Sequence, residues 1–159
     1  MKTEADKLVT FRLGDDLFAA DIFSVERVLR YSAPTSVPDM PDYIEGVIDY
    51  QGRVVPILNL RRRFEMPVAE VKNETRTLIL HAGGEWIGVV VDAVTAVTGF
   101  DPGAVAPPPK LFRGLAGEYI KGIVRMAEKL VILLDVEKLL SSTERIALER
   151  ADAEALANG

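Results

Sequence analysis

Tyr43-Ile44-Glu45-Gly46-Val47-Ile48 and Tyr119-Ile120-Lys121-Gly122-Ile123-Val124 are two versions of one hexapeptide, 76 residues apart. The match continues without a gap. Val54-Val55-Pro56-Ile57-Leu58-Asn59-Leu60 falls on Leu130-Val131-Ile132-Leu133-Leu134-Asp135-Val136, and Phe64 falls on Leu140. Upstream, at an offset of 69, Phe11-Arg12-Leu13-Gly14-Asp15-Asp16-Leu17-Phe18 falls on Leu80-His81-Ala82-Gly83-Gly84-Glu85-Trp86-Ile87. The change of offset lies in Pro-rich loops, where insertions are tolerated. In each copy, apolar residues alternate or form short β-branched runs. Gly14-Asp15-Asp16, Gln51-Gly52 and Gly83-Gly84 punctuate those runs as hairpin turns. Asn59-Leu60-Arg61-Arg62-Arg63-Phe64 reads as one helical turn. Short, closely spaced strands of this kind build small closed barrels rather than a βαβ sheet. The chain therefore reads as all-β, with two five-stranded barrels in pseudo-symmetric arrangement at about residues 8–64 and 75–140.

The tail differs. Ser141-Ser142-Thr143-Glu144 has the form of a capping box. Ile146, Leu148, Ala151, Ala155 and Leu156 follow in an Ala- and Glu-rich stretch. A short C-terminal helix over 141–157 is expected, with its apolar face on the barrels.

Composition narrows the function. The 159 residues are 48% hydrophobic and 27% charged, which is enough apolar material for an ordered core. Nineteen basic residues against twenty-four acidic ones give a net charge of −5, a poor basis for binding nucleic acid through phosphates. The chain has no cysteine, so disulfides, thiolate nucleophiles and Cys-ligated metals are excluded. Its one histidine, His81, closes an apolar run just before a turn and reads as a strand-end residue. Neither a Ser-His-Asp triad nor a His-rich metal site is visible. No phosphate-binding loop, dinucleotide fingerprint or HExxH occurs. Asp92 and Asp135 each follow an apolar strand and read as turn formers or caps. Trp86 falls in a core-facing strand. The expectation is no catalytic residue, no metal and no cofactor.

The start of the chain carries no apolar stretch of signal-peptide type, and no apolar run approaches the ~20 residues of a membrane span. A cytoplasmic location is expected. Arg61-Arg62-Arg63, with Arg53, forms the one basic cluster. It reads as a solvated face or as a contact for an acidic partner. What remains is binding through strand edges and through an apolar cleft between the barrels, the profile of an adaptor. The alternative is a barrel protein that binds RNA or a small ligand in that cleft.

Several segments together resemble the CheW family of coupling proteins of bacterial chemosensory arrays. They are Phe11-Arg12-Leu13-Gly14-Asp15-Asp16, Ala20-Asp21-Ile22-Phe23-Ser24-Val25, and Gly52-Arg53-Val54-Val55-Pro56-Ile57-Leu58-Asn59-Leu60-Arg61-Arg62-Arg63-Phe64. In the second half they are Ile87-Gly88-Val89-Val90-Val91-Asp92 and Leu130-Val131-Ile132-Leu133-Leu134-Asp135-Val136-Glu137-Lys138-Leu139-Leu140, with the two hexapeptides above. The resemblance covers nearly the whole chain and implies one CheW-like domain over 1–159 made of two SH3-like barrels. It implies a non-catalytic scaffold, without cofactor, that couples the cytoplasmic tip of a methyl-accepting chemoreceptor to the regulatory domain of a CheA-type histidine kinase. That kinase domain shares the double-barrel fold. The chain would thus be a monomer alone and an element of rings with the kinase, placed at receptor arrays under the inner membrane. It would neither insert into the membrane nor bind nucleic acid.

The same resemblance places candidate sites. Ile22, Val25, Arg27, Val28, Gln51, Gly52, Val89 and Val91 are candidates for the receptor groove. Arg53, Val54, Arg61 and Arg62 are candidates for the kinase interface. Two positions depart from the family pattern. Arg27 stands where V-x-E-I has Glu, and Gln51 stands where N-L-R-G has Arg. Acid and base are both gone, as loss of a mutual ion pair would require. Arg27 and Gln51 are accordingly expected on adjacent strands with side chains on one face. Receptor recognition is where this chain is expected to differ from its relatives.

Overall fold

The structure is a computed structural model and describes residues 6–108 and 116–141. Ten strands form two five-stranded sheets. They are β1 (Lys7–Leu13), β2 (Asp16–Asp21), β3 (Val25–Arg30), β4 (Ile44–Tyr50) and β5 (Arg53–Asn59), followed by the one-turn helix α1 (Leu60–Arg63). The second series is β6 (Arg76–Ala82), β7 (Glu85–Val91), β8 (Ala93–Gly99), β9 (Ile120–Met126) and β10 (Lys129–Leu134). One sheet has the order β8-β1-β2-β10-β9, and the other β3-β6-β7-β5-β4.

The all-β architecture agrees with the sequence reading, but the cut between the barrels does not. The two sheets do not coincide with residues 8–64 and 75–140. The second sheet, barrel B, is continuous from Val25 to Val91, while barrel A combines β1 and β2 with β8, β9 and β10. Each repeat thus lends its first hairpin to the other repeat's strands. The chain crosses at two equivalent places, through the 3-10 turn Ile22–Ser24 and through Asp92.

The exchange is reciprocal to the residue. Val25 pairs with Leu80 and Val28 with Leu78, while Val94 pairs with Phe11 and Val97 with Val9. In β4 and β5, Ile44 faces Leu58 and Gly46 faces Ile57, so Glu45 is bulged. In β9 and β10, Ile120 faces Leu134 and Gly122 faces Leu133, so Lys121 is bulged. Both outer hairpins turn with positive φ at two consecutive residues, Gln51 and Gly52 in one and Ala127 and Glu128 in the other. That is the I′ pattern, whose twist suits paired strands. A lone bridge closes each ring, Thr35 to Val47 in barrel B and Ala106 to Ile123 in barrel A.

Alternation along the strands sorts the core. Phe11, Leu13 and Phe18 of barrel A meet Leu78, Leu80, Ile87, Val89 and Val91 of barrel B in one apolar layer between the sheets. Leu8, Val124, Val131 and Leu133 fill barrel A, and Tyr50, Val55 and Ile79 fill barrel B. The segment after each outer hairpin is capped alike. Asn59 accepts from the Arg62 amide at 3.1 Å, and Asp135 accepts from the Lys138 amide at 3.1 Å. The predicted cap at Ser141 is therefore displaced. Residues 136–141 are already helical, and the Ser141 hydroxyl donates back to the Glu137 carbonyl. The rest of the expected helix, 142–157, lies outside the described residues.

The bulge explains both invariant points of the repeat. A Cβ at Gly46, whose φ is +148°, would lie 2.0 Å from the Thr35 carbonyl oxygen. At Gly122 it would lie 2.6 Å from the Ala106 carbonyl oxygen. Gly46→Ala and Gly122→Ala should each cost about 2 kcal/mol or more by forcing open the ring-closing bridge. Urea unfolding measures this, and wild-type midpoints would refute it.

Candidate functional site

The Arg61-Arg62-Arg63 run does not form a basic patch, because a one-turn helix sends three consecutive side chains in three directions. Arg61 forms a bidentate pair with Asp92, with Nε 2.9 Å from Oδ1, and also donates to the Pro67 carbonyl at 2.8 Å. Asp92 accepts a further bond from the Gly14 amide at 2.8 Å. The Arg61 guanidinium holds the Asp92 carboxyl below the usual range. Burial opposes this, and the Gly14 amide adds to it. Arg62 is half-exposed, with its guanidinium 3.7 Å from the Asp42 carboxylate. Arg63 is buried, stacked between the rings of Tyr43 and Tyr119. Of the kinase-interface candidates, Arg61 is thus a structural residue. The pairing with Asp92 leaves it little freedom to meet a partner.

Arg53 and Val54 lie on the outside of barrel B. Arg53 stacks over Trp86 at 4.4 Å, and Val54 is 73% exposed. Trp86 packs against the Tyr50, Val55 and Ile79 cluster, as a core-facing strand implies, and its half-buried ring is covered by that guanidinium. The hairpin tip Gln51-Gly52 is exposed beside Arg53.

The receptor-groove candidates divide. Arg27 and Val28 are exposed on the edge strand β3, and Ile22 and Val25 are half-buried against the core. Val89 and Val91 are fully buried in the layer between the sheets, so they are core and not groove. β7 is a central strand whose alternation aims both valines inward. The counterpart of β3 is β8, where Val97 is exposed as Val28 is. The offset of 69, applied to Val28, points to Val97 directly. Arg27 and Gln51 do not sit on hydrogen-bonded neighbours, because β3 pairs with β6 while Gln51 turns between β4 and β5.

Sequence reasoning missed Phe23. It stands 67% exposed in the crossing turn, where the only signal was an apolar residue inside a short connection. It lines a groove of about 620 Å³ with Asp21, Phe100, Lys121, Asp135 and Glu137. The equivalent place in barrel B has shrunk to about 40 Å³. There the Tyr31 hydroxyl and the Asn59 amide both donate to Glu45, the Arg61–Asp92 pair fills the side, and residues 69–71 close over it. Burial first, and Glu45 next, push the Tyr31 hydroxyl up to about 12. Among the described residues, no group of three His, Asp or Glu side chains is placed to hold a metal, and no helix is long and apolar enough to cross a membrane.

Two interlocked barrels with apolar side chains exposed at equivalent strand positions, Val28 with Val97 and Val54 with Leu130, have the architecture of a binding module. The family model for the CheW-like domain matches residues 7–144, and the chain belongs to that family. It is 34% identical over 143 residues to chemotaxis protein CheW of Klebsiella aerogenes, covering 90% of this chain and 86% of that one. It is 32% identical over 145 residues to chemotaxis protein CheW of Treponema pallidum, covering 89% and 85%. The crystal structure of scaffolding protein TtCheW from Thermoanaerobacter tengcongensis superposes with a TM-score of 0.76 at 30% identity, covering 83% of this chain and 85% of that one.

The Asp92 site gives a pH dependence of known sign. Its native pKa lies below the unfolded value of about 3.9, so its contribution is complete above that value. That contribution is lost as pH falls through the native value. Asp92→Asn should flatten this acid limb of stability below about pH 4. Urea midpoints at a series of pH values measure it, and an unaltered limb would remove Asp92 from the linkage.

Proposed function

We propose that this chain is a non-catalytic scaffold that couples a chemoreceptor tip to a CheA-type histidine kinase in the cytoplasm. Membership of the CheW-like family supports the role in chemotaxis signalling. The observation that carries the two-partner reading is the exposure of apolar side chains at two separate places on one interlocked core, Phe23 with Val28 and, on the outer hairpin, Val54. The receptor tip, a helical hairpin, takes the face of Phe23, Val25, Arg27 and Val28 beside the crossing turn. The kinase regulatory domain takes the outer hairpin of barrel B, at Arg53 and Val54, with Arg62 and Gly52 at its rim. Leu130 repeats Val54 on barrel A, 58% exposed, and supports a second contact of the kind that ring assembly requires.

The alternative RNA reading loses its footing, because Arg61 is paired and Arg63 is buried. Electrostatic binding needs cations free to replace counterions.

Val28→Asp should lower receptor-tip affinity about tenfold while leaving kinase-domain affinity within twofold, and Val54→Asp should do the converse. Both side chains are exposed, so melting temperatures should hardly move. Calorimetric titration of each variant with each partner measures this. Four unchanged affinities would refute the proposed surfaces.

A further inference from the structure

Tyr43 and Tyr119 are the first residues of the repeated hexapeptide, each at the entrance of its own barrel's outer hairpin. The Tyr43 carbonyl accepts from the Asn59 amide at 2.7 Å, and the Tyr119 carbonyl accepts from the Asp135 amide at 2.8 Å. The Arg63 guanidinium lies between the two rings, 4.6 Å from that of Tyr43 and 4.7 Å from that of Tyr119. One of its nitrogens donates to the Tyr119 hydroxyl. Arg63 belongs to the helix that ends barrel B, yet it bonds to the residue just before β9 of barrel A. Its counterpart in the second repeat is Leu139, fully buried and unable to do the same. One cation therefore serves both repeats.

Among the described residues, no carboxylate pairs with this guanidinium. Two aromatic faces and a hydroxyl compensate it instead. Such compensation depends on geometry, since a cation must remain within about 6 Å of a ring centroid. Apolar packing between the sheets is non-directional and tolerates sliding. A tilt of one barrel against the other would pull a ring from Arg63 and strand a buried charge. We propose that Arg63 is a positioning residue that fixes the angle between the barrels, and with it the shape offered to any partner that touches both. This rests in part on the reading above, in which the receptor tip sits beside the crossing turn where the barrels meet. A partner confined to barrel B's outer hairpin is indifferent to that angle.

The chain has no cysteine, so Val54→Cys with Leu130→Cys gives two nitroxide labels, one per barrel, at equivalent exposed positions. Dipolar spectroscopy should give one narrow distance distribution on the wild-type background. Arg63→Leu, which copies the other repeat, should keep the far-ultraviolet spectrum but broaden or shift that distribution. On unlabelled protein it should lower receptor-tip affinity about tenfold and leave kinase-domain affinity within twofold. Arg63→Lys keeps the charge without the flat guanidinium and should also broaden the distribution, which provides a test if the leucine variant does not fold. A wild-type distribution in either folded variant overturns the proposal. A changed distribution with unchanged receptor affinity overturns the placement of the receptor site instead.

Discussion

Neither repeat can close its own barrel, and the rest of the structure depends on that constraint. β1 and β2 sit in the middle of barrel A, flanked by β8 and β10 from the second repeat. β6 and β7 sit in the middle of barrel B, flanked by β3 and β5 from the first. Removing either repeat would strip a hairpin from one barrel and three strands from the other. The apolar layer between the sheets draws on both as well, through Phe11 and Phe18 on one side and Ile87 and Val89 on the other. The barrels are thus one cooperative unit with two surfaces. Long-range pairing of this kind makes folding slow compared with a helical protein of the same length.

The two halves share a register and differ in chemistry, and the difference falls where a surface can act. Barrel B has Tyr31, Glu45, Asn59 and Arg61 at the floor of its small site, joined by hydrogen bonds and an ion pair. Barrel A has Phe100, Lys121, Asp135 and Glu137 in the matching places. Those side chains form no equivalent closed network in the described contacts, and a groove stays open with Phe23 standing beside it. The continuation also differs. Glu65 turns the chain back with positive φ, whereas the matching residue Ser141 is still helical. Backbone pairing is satisfied by register alone, so the repeats keep it. Side chains away from the core are free to diverge, and one site has closed while its twin has not.

The repeat, the strand positions and the outer hairpin at Gln51-Gly52 were legible because they depend on local chemistry: alternation, Gly46 and Gly122 at the bulges, and a two-residue turn; Ala127-Glu128 carries no such signal. The exchange of hairpins was not legible. A crossing such as Ile22–Ser24 is as short as a tight loop, and nothing local tells which sheet receives the next strand. Val89 and Val91 differ for another reason: a run of valines reads the same on an edge and in a centre, and β7 is a central strand. Val97 and Leu130, the surface counterparts of Val28 and Val54, are legible from the two offsets alone. Trp86 packs inward on the barrel B cluster, but no local signal shows that Arg53 of the neighbouring hairpin covers its ring.

The arginines of α1 show how one short element reconciles these demands. Four residues cannot sustain a helix alone, because nucleation costs more than one turn returns. Asn59 supplies the cap, and Leu60 anchors the turn in the core. Arg61 then ties the turn to the crossing at Asp92 and, through Asp92, to the Gly14 amide at the hairpin of barrel A. Arg63 ties it to Tyr119, while Arg62 alone faces outward beside Asp42. A run that looked like a patch for an acidic ligand thus has two of its three charges turned inward. Both contact elements of barrel A from a helix that ends barrel B. The charges that would have given nucleic-acid affinity are used to hold two barrels in register. The one-turn helix thus adds directional contacts to an apolar layer that packing alone would leave free to slide.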